Sequence, residues 1–129
     1  MNRWSDDELR RIAESDELEI ASVRSDGSLR RPVTIWVVRV GDDVYVRSVT
    51  GRSASWFHGA QDRHEARVSV GGVTKDVRLI ETEEDADAID AAYRAKYRRY
   101  AAHIVESIIA PHAGATTLKL VPRATASGA

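Results

Sequence analysis

The chain has 129 residues, 19 of them basic and 20 acidic, and its formal net charge is −1. Proteins that bind nucleic acid through its phosphates usually carry a clear basic excess, so the balanced charge disfavours that class. The absence of cysteine excludes disulfides and thiolate chemistry. Hydrophobic residues at 43% and charged residues at 30% are typical of a globular domain rather than a disordered chain.

The N-terminal segment turns acidic at once and contains no apolar stretch of signal-peptide length. No apolar run approaches the roughly 20 residues that cross a bilayer. We therefore expect a cytoplasmic protein with no membrane partner. We also expect one domain over residues 1–122, followed by a small, polar and disordered tail at 123–129.

The first predicted element is a helix that begins after Ser5. Ser5 and Glu8 have the spacing of a capping box, and Trp4 and Leu9 have that of a hydrophobic staple. Beyond Ser15, runs of β-branched, aromatic and alternating apolar residues are separated by turn residues, which is typical of strands. We expect strands at 18–23, 33–40, 44–49, 67–70, 73–80 and 116–121.

Two further helices are predicted between these strands. Ser53 is the candidate N-cap of a short helix through Ala60. A longer helix follows Thr82, and its apolar residues lie on one face until Pro111 ends it. With its many short strands and short hairpin loops, the chain is expected to be α+β, a mainly antiparallel barrel or curved sheet with flanking helices.

The most informative stretch for function is residues 44–57, a strand, a turn and a helix start. Helix N-termini have free N–H groups and a partial positive charge, so such a turn suits phosphate. Arginines, hydroxyls and a glycine that permits close approach stand there together. The simpler alternative is that the serine only caps the helix and the arginines are solvated. The candidate anion ligands are Arg47, Ser48, Gly51, Arg52 and Ser53.

Three other features allow two interpretations each. Trp56 can pack against a flat ring system or belong to the core. Arg30 and Arg31, just before Pro32, can hold a second anionic group or form an ordinary hairpin rim. The basic and aromatic residues at 93–100 can stack on nucleic-acid bases, although an amphipathic helix packed on the sheet explains them more simply.

No conventional catalytic or metal-binding motif is present. The four histidines lack the spacing of metal ligands, and neither G-x-S-x-G, nor a P-loop, nor a G-x-G-x-x-G after a strand occurs. We therefore assign no metal site and no catalytic residue from the sequence.

These stretches together resemble an uncharacterised family of the flavin-binding split-barrel superfamily. That superfamily includes pyridoxamine-phosphate-oxidase-like proteins and deazaflavin-dependent nitroreductases. The resemblance is carried by residues 26–36, 45–48 and 51–57, with support from 93–97. It implies a six-stranded split barrel, usually a homodimer, with a cofactor bound at or near the dimer interface.

The resemblance also implies roles for particular residues. The strand–turn–helix segment would hold the phosphate of the cofactor, and Trp56 matches a tryptophan just inside the following helix. The segment at the start of the preceding strand would border the ring system. Its residues are Arg31, Pro32, Val33, Thr34 and Ile35. Because the hairpin lacks the fuller glycine- and lysine-rich form of the nitroreductases, the choice between the deazaflavin coenzyme F420 and FMN stays open.

The leading hypothesis is a flavin- or deazaflavin-binding oxidoreductase-like protein that transfers hydride to an unknown small molecule. In such proteins the cofactor does the chemistry and the protein supplies binding and orientation, which fits the missing catalytic motif. The alternative is a cofactor-free binding or interaction module that keeps the barrel. Its pocket would be filled by side chains such as Trp36 or Trp56.

Overall fold

A computed structural model describes residues 3–123, and the predicted tail at 123–129 lies outside the described part except for Arg123. The strands are β1 (Glu17–Ser22), β2 (Val33–Trp36), β3 (Val38–Val40), β4 (Asp43–Val46), β5 (Glu65–Val70), β6 (Val73–Glu81) and β7 (Leu118–Pro122). The helices are α1 (Asp6–Glu14), α2 (Ser55–Arg63), α3 (Ala86–Lys96), α4 (Ala102–Ile109) and α5 (Pro111–Gly114). A 3₁₀ turn at Gly51–Ser53 precedes α2.

The strands form one antiparallel sheet in the order β2-β1-β5-β6-β7-β4-β3. The two edge strands, β2 and β3, follow each other directly in the chain, so the sheet curls round until its edges meet at Val37. The predicted α+β class and barrel-like antiparallel sheet are confirmed. The strand number was wrong, because the sheet has seven strands and not six.

The extra strand arises because the predicted strand 33–40 breaks at Val37. Its N–H donates to the Tyr97 hydroxyl at 3.0 Å, and its carbonyl accepts from Lys96 Nζ at 2.7 Å. Helix α3 therefore satisfies the backbone groups that the sheet leaves unpaired at the bend. The chain pairs with β1 before Val37 and with β4 after it.

The N-terminal helix agrees with the sequence prediction. Ser5 caps it, with the Glu8 N–H donating to Ser5 Oγ at 3.1 Å and the Ser5 N–H donating to Glu8 Oε1 at 2.8 Å. Trp4 is buried beside Leu9, and its indole N–H donates to the Leu120 carbonyl at 3.0 Å. The helix is thus joined directly to the last strand of the sheet.

Two helix predictions were wrong in detail. Ser53 does not cap α2, since Ala54 holds the N-cap position and the Ser53 hydroxyl donates to the Thr50 carbonyl. The helix also runs beyond Ala60, to Arg63.

The long helix predicted after Thr82 is two helices, α3 and α4, separated by residues 97–101. The reason lies in Tyr97. Its hydroxyl donates to the backbone of Val37 or Asp16, and its ring stacks on Trp36, so this residue stays against the barrel where the helix ends.

The buried side chains form two clusters. The first joins α1 and α2 to strands β1, β4, β5, β6 and β7. The second lies between β3, β4, α3 and α4, and its three central aromatic residues are Tyr45, Tyr93 and Tyr97. The last two are therefore core residues, as the amphipathic-helix interpretation of 93–100 required, and their rings are not available to stack on bases. None of the helices within residues 3–123 is long and apolar enough to span a membrane.

Candidate functional site

A cavity opens beside β2, and we call it the apolar cavity. It has a volume of about 400 Å³. Strand β2 forms one wall, the segment from β4 to α2 forms another, and α4 contributes two isoleucines. Its lining residues are Val33, Thr34, Ile35, Trp36, Arg47, Ser48, Val49, Thr50, Ala54, Trp56, Ile104 and Ile108.

Two tryptophans give the cavity flat aromatic surfaces. Trp36 is half-buried, and its ring stacks on Tyr97 with a centroid distance of 3.9 Å and an interplanar angle of 3°. Trp56 is half-buried near the start of α2, in edge contact with Phe57. Both rings are fixed by packing, and both leave the cavity open.

Arg47 is the one charged residue of the lining, and it is 2% exposed. Its Nε donates to Thr117 Oγ1 at 2.9 Å, and its Nη1 donates to Asp90 Oδ1 at 2.5 Å and to the Ile108 carbonyl at 3.3 Å. The guanidinium also lies over the Tyr93 ring, 5.5 Å from the centroid. Its charge is therefore already neutralised within the chain. Asp90, the partner of this arginine, lies in the middle of α3.

The hydroxyl groups of the predicted anion site hold the loop together. Ser48 Oγ donates to the Gly51 carbonyl at 2.7 Å, while the Ser48 N–H donates to Thr116 Oγ1 at 2.9 Å. Gly51 has φ +76°, and a Cβ there would lie 3.3 Å from the His112 ring and carbonyl. The turn thus requires glycine for its conformation and for its close contact with α5.

Arg52 and Ser53 lie outside the cavity lining. Arg52 Nη2 lies 3.5 Å from Glu81 Oε1, and its Cζ lies 5.5 Å from the centroid of the Phe57 ring. Of the eleven predicted cofactor residues, the apolar cavity brings together Val33, Thr34, Ile35, Arg47, Ser48 and Trp56. A second cavity includes Arg31, and neither cavity is lined by Pro32, Gly51, Arg52 or Ser53.

A family model described as an uncharacterised protein conserved in bacteria (DUF2255) matches residues 8–120. The chain belongs to the DUF2255 family. No curated protein matches this DUF2255 chain significantly.

Solved structures share its fold over nearly the whole chain. HutZ, the heme storage protein from Vibrio cholerae, is 12% identical with a TM-score of 0.63, and the match covers 93% of this chain and 91% of HutZ. An F420 reductase is 15% identical with a TM-score of 0.55, and the match covers 91% of this chain and 92% of the reductase. The conserved hypothetical protein Rv2991 from Mycobacterium tuberculosis is 10% identical with a TM-score of 0.57, and the match covers 95% of this chain and 82% of Rv2991. At these identities the likeness establishes the fold, which is the predicted split barrel.

The sequence missed several residues that line the DUF2255 cavity, among them Val49 and Ile104, and it missed Asp90 as the partner of Arg47. Ile104 was assigned to a continuous apolar helix face, yet it is 40% exposed and lines the cavity. A break between α3 and α4 was the missing information, and no proline or glycine signals it in 93–104.

Acid–base groups are scarce around the cavity. Its lining contains no carboxylate, histidine or lysine, and residues 3–123 contain no group of three or more histidines and carboxylates suited to a metal ion. Behind Arg47, burial raises the pKa of Tyr93 far above its usual value, so this phenol stays neutral.

Proposed function

We propose that this protein binds a flavin-type cofactor, F420 or FMN, in the apolar cavity and works as a reductase on a small molecule. The observation that carries the proposal is a cavity of about 400 Å³ with two tryptophans in its lining and no carboxylate, histidine or lysine. Such a cofactor, once bound, supplies hydride transfer without help from a catalytic side chain. The protein then contributes binding, orientation and exclusion of water.

The dimensions and chemistry of the cavity fit this group. Ligand sites are commonly about 300–1,000 Å³, mostly apolar, with a few polar groups that fix orientation. Trp36 and Trp56 line the space and do not fill it, which counts against a cofactor-free module whose pocket is closed by these side chains. Arg47, Ser48 and Thr50 supply the polar groups on one wall.

We assign the ring of the cofactor to the β2 wall, Val33 to Ile35, and to the face of Trp56. Arg47 and Ser48 form the polar end of this ring site. Gly51 and Ser53 support the site from behind, through the turn that positions Ser48 and Ala54, whereas Arg52 lies outside the site and pairs with Glu81. The structural likeness to an F420 reductase makes the deazaflavin coenzyme the first of the two to test.

The mouth of the cavity supports a homodimer as part of this proposal. Val33, Val49 and Ile104 line it and are 38%, 46% and 40% exposed. Three large apolar side chains around one opening are unfavourable in water, and a second copy of the chain would cover them. Light scattering on the purified protein tests this. A dimer that Val49→Asp converts to monomer supports the proposal, and a monomeric wild type contradicts it.

A matched pair of variants tests cofactor binding. Ile104→Trp puts an indole into the cavity, whereas Ile80→Trp puts one on an equally exposed position of β6 away from it. Fluorescence titration with F420 and with FMN should give saturable binding in wild type and in Ile80→Trp. We expect Ile104→Trp to weaken binding at least about tenfold. Equal affinity in all three proteins would contradict the assignment of the cavity.

A further inference from the structure

A second cavity, which we call the arginine cleft, lies next to the apolar cavity and has a volume of about 260 Å³. It is lined by three arginines, two serines and three apolar or aromatic residues, with no carboxylate among them. These residues are Ile20, Ser22, Arg24, Arg30, Arg31, Val33, Ser55 and Trp56. A concave surface of this composition is suited to an oxyanion.

Arg30 is the fixed part of the cleft. Its Nη1 donates to the carbonyls of Val23 and Gly59 at 3.3 and 3.2 Å, and its Nη2 pairs with Asp62. Gly59 permits this arrangement, since a Cβ there would lie 2.9 Å from Arg30 Cδ and 2.8 Å from Ser22 Oγ. A glycine inside helix α2 costs stability, so this close contact explains its presence.

Arg24 and Arg31 differ from Arg30 because no carboxylate within residues 3–123 lies within 4.0 Å of either. Arg24 Nη1 donates to the Leu29 carbonyl at 2.8 Å, which directs the side chain without neutralising it. The nearest acidic side chain along the chain, Asp26, is hydrogen-bonded by Ser28. The hydrogen bonds from Ser28 are the main cause that lowers the pKa of Asp26, and the charge of Arg24 is a smaller one. The cleft therefore keeps positive charge that can attract an anion.

The start of α2 adds to this charge. Ala54 holds the N-cap position without a side-chain acceptor, and Ser55 lines the cleft in the first turn. The positive end of the helix dipole thus lies beside the arginines.

The candidate anion ligands from the sequence are less available. Arg47 is buried and paired with Asp90, while Arg52 is paired with Glu81 and lies outside both cavities. By contrast, Val33 and Trp56 line both the apolar cavity and the arginine cleft, so one ligand can occupy both.

We infer that the arginine cleft is the phosphate subsite of the ligand whose flat ring occupies the apolar cavity. Arg24 and Arg31 bind the phosphate, and Arg30 and the first turn of α2 shape the site. The ligand class is accordingly a ring system with a phosphorylated side chain. The ring half of this inference rests on the proposed function, whereas the anion half rests on the cleft alone.

The comparison of FMN with riboflavin isolates the phosphate, because the two share one ring system. In wild type at low salt we expect FMN to bind about tenfold or more tightly than riboflavin. In the double variant Arg24→Ala with Arg31→Ala, this ratio should fall close to one while riboflavin affinity stays unchanged. Arg52→Ala and Arg78→Ala, which remove arginines outside the cleft, should keep the wild-type ratio.

Each of the other possible binding results supports or overturns one part of the inference. If the double variant keeps the preference for FMN over riboflavin, or if Arg52→Ala loses it, the assignment of the phosphate to the arginine cleft is overturned. If neither flavin binds, titration with F420 decides the proposed function, and calorimetric titration with inorganic pyrophosphate tests the cleft by itself. Pyrophosphate binding that the double variant loses supports the anion half of the inference, and absence of binding to wild type overturns it.

Discussion

Arg47 Nη1 donates to Asp90 Oδ1 at 2.5 Å, and this pair joins the end of β4 to the middle of α3 under the floor of the apolar cavity. The arginine side chain is 1% exposed and the aspartate side chain 26%. A buried charge that loses its partner is strongly destabilising, so the pair is a structural requirement of the site as well as a limit on what Arg47 can bind.

Asp90→Asn keeps the shape of the side chain and removes its charge. We expect the free energy of unfolding to fall by about 2–3 kcal/mol, somewhat less than for a fully buried pair, because the carboxylate is partly exposed. Urea denaturation at neutral pH measures this. Asp76→Asn, which breaks the exposed pair with Arg67, is the control and should cost far less. Equal losses would show that the Arg47–Asp90 pair has no special weight.

Tyr93 in α3 and Tyr97, the residue that follows the helix, are both buried and should respond differently to loss of the hydroxyl. Tyr97 Oη accepts from the Val37 N–H at 3.0 Å, so Tyr97→Phe leaves this buried N–H unpaired. We expect a loss of about 1–3 kcal/mol. The Tyr93 hydroxyl is buried without a hydrogen-bond partner among residues 3–123, so Tyr93→Phe should be neutral or stabilising. Thermal unfolding of both variants measures the two changes in stability. A larger loss for Tyr93→Phe than for Tyr97→Phe would contradict the prediction.

Lys96 predicts how stability depends on pH above neutrality. Its Nζ donates to the carbonyls of Val37 and Ile12, and burial lowers its pKa from 10.5 to about 8. Between these values the unfolded chain binds more protons than the native one, so this group makes stability rise with pH. Burial raises the pKa of Tyr97 above its usual 10, so stability should fall again above about pH 10.

The measurement is urea unfolding at intervals from pH 7 to 10.5, for wild type and for Lys96→Met. The variant removes the titrating amine and should flatten the rise that begins near pH 8. A rise of the same size in both proteins would assign it to another group.

Gly59 and Gly114 form a matched pair of helical glycines. Gly59→Ala brings a Cβ within 2.8 Å of Ser22 Oγ, so we expect a loss of about 1–3 kcal/mol in spite of the better helix propensity of alanine. Gly114→Ala meets nothing within 4 Å and should change stability little, or raise it by up to about 1 kcal/mol. The denaturant midpoints of the two variants measure these changes in stability. Stabilisation by Gly59→Ala would contradict the close contact with Arg30.

The sequence predicted well where local patterns decide the structure. The Ser5–Glu8 capping box lies where its residues indicated, and the predicted strands 67–70 and 73–80 pair as a hairpin; the last strand, predicted at 116–121, is Leu118–Pro122. Each depends on contacts between residues close in the chain, which propensity and spacing describe.

The features that were missed depend on distant contacts. The break at Val37 exists because Tyr97 and Lys96, about 60 residues away, satisfy its backbone. The buried Arg47 was interpreted as a free anion ligand, since nothing near it in the sequence indicates that Asp90 reaches it. For the same reason the arginine cleft, which combines a hairpin with a helix start, was visible only as separate arginines.

The most direct test of the account is cofactor binding by the purified wild-type protein. Its visible absorbance spectrum reports flavin or deazaflavin retained through purification, and titration with F420 and with FMN gives the dissociation constants. We predict saturable binding of at least one of them in the micromolar range or tighter, about −8 kcal/mol or better. A folded protein that is colourless and binds neither cofactor at about 100 µM, roughly −5.5 kcal/mol, would contradict the central claim.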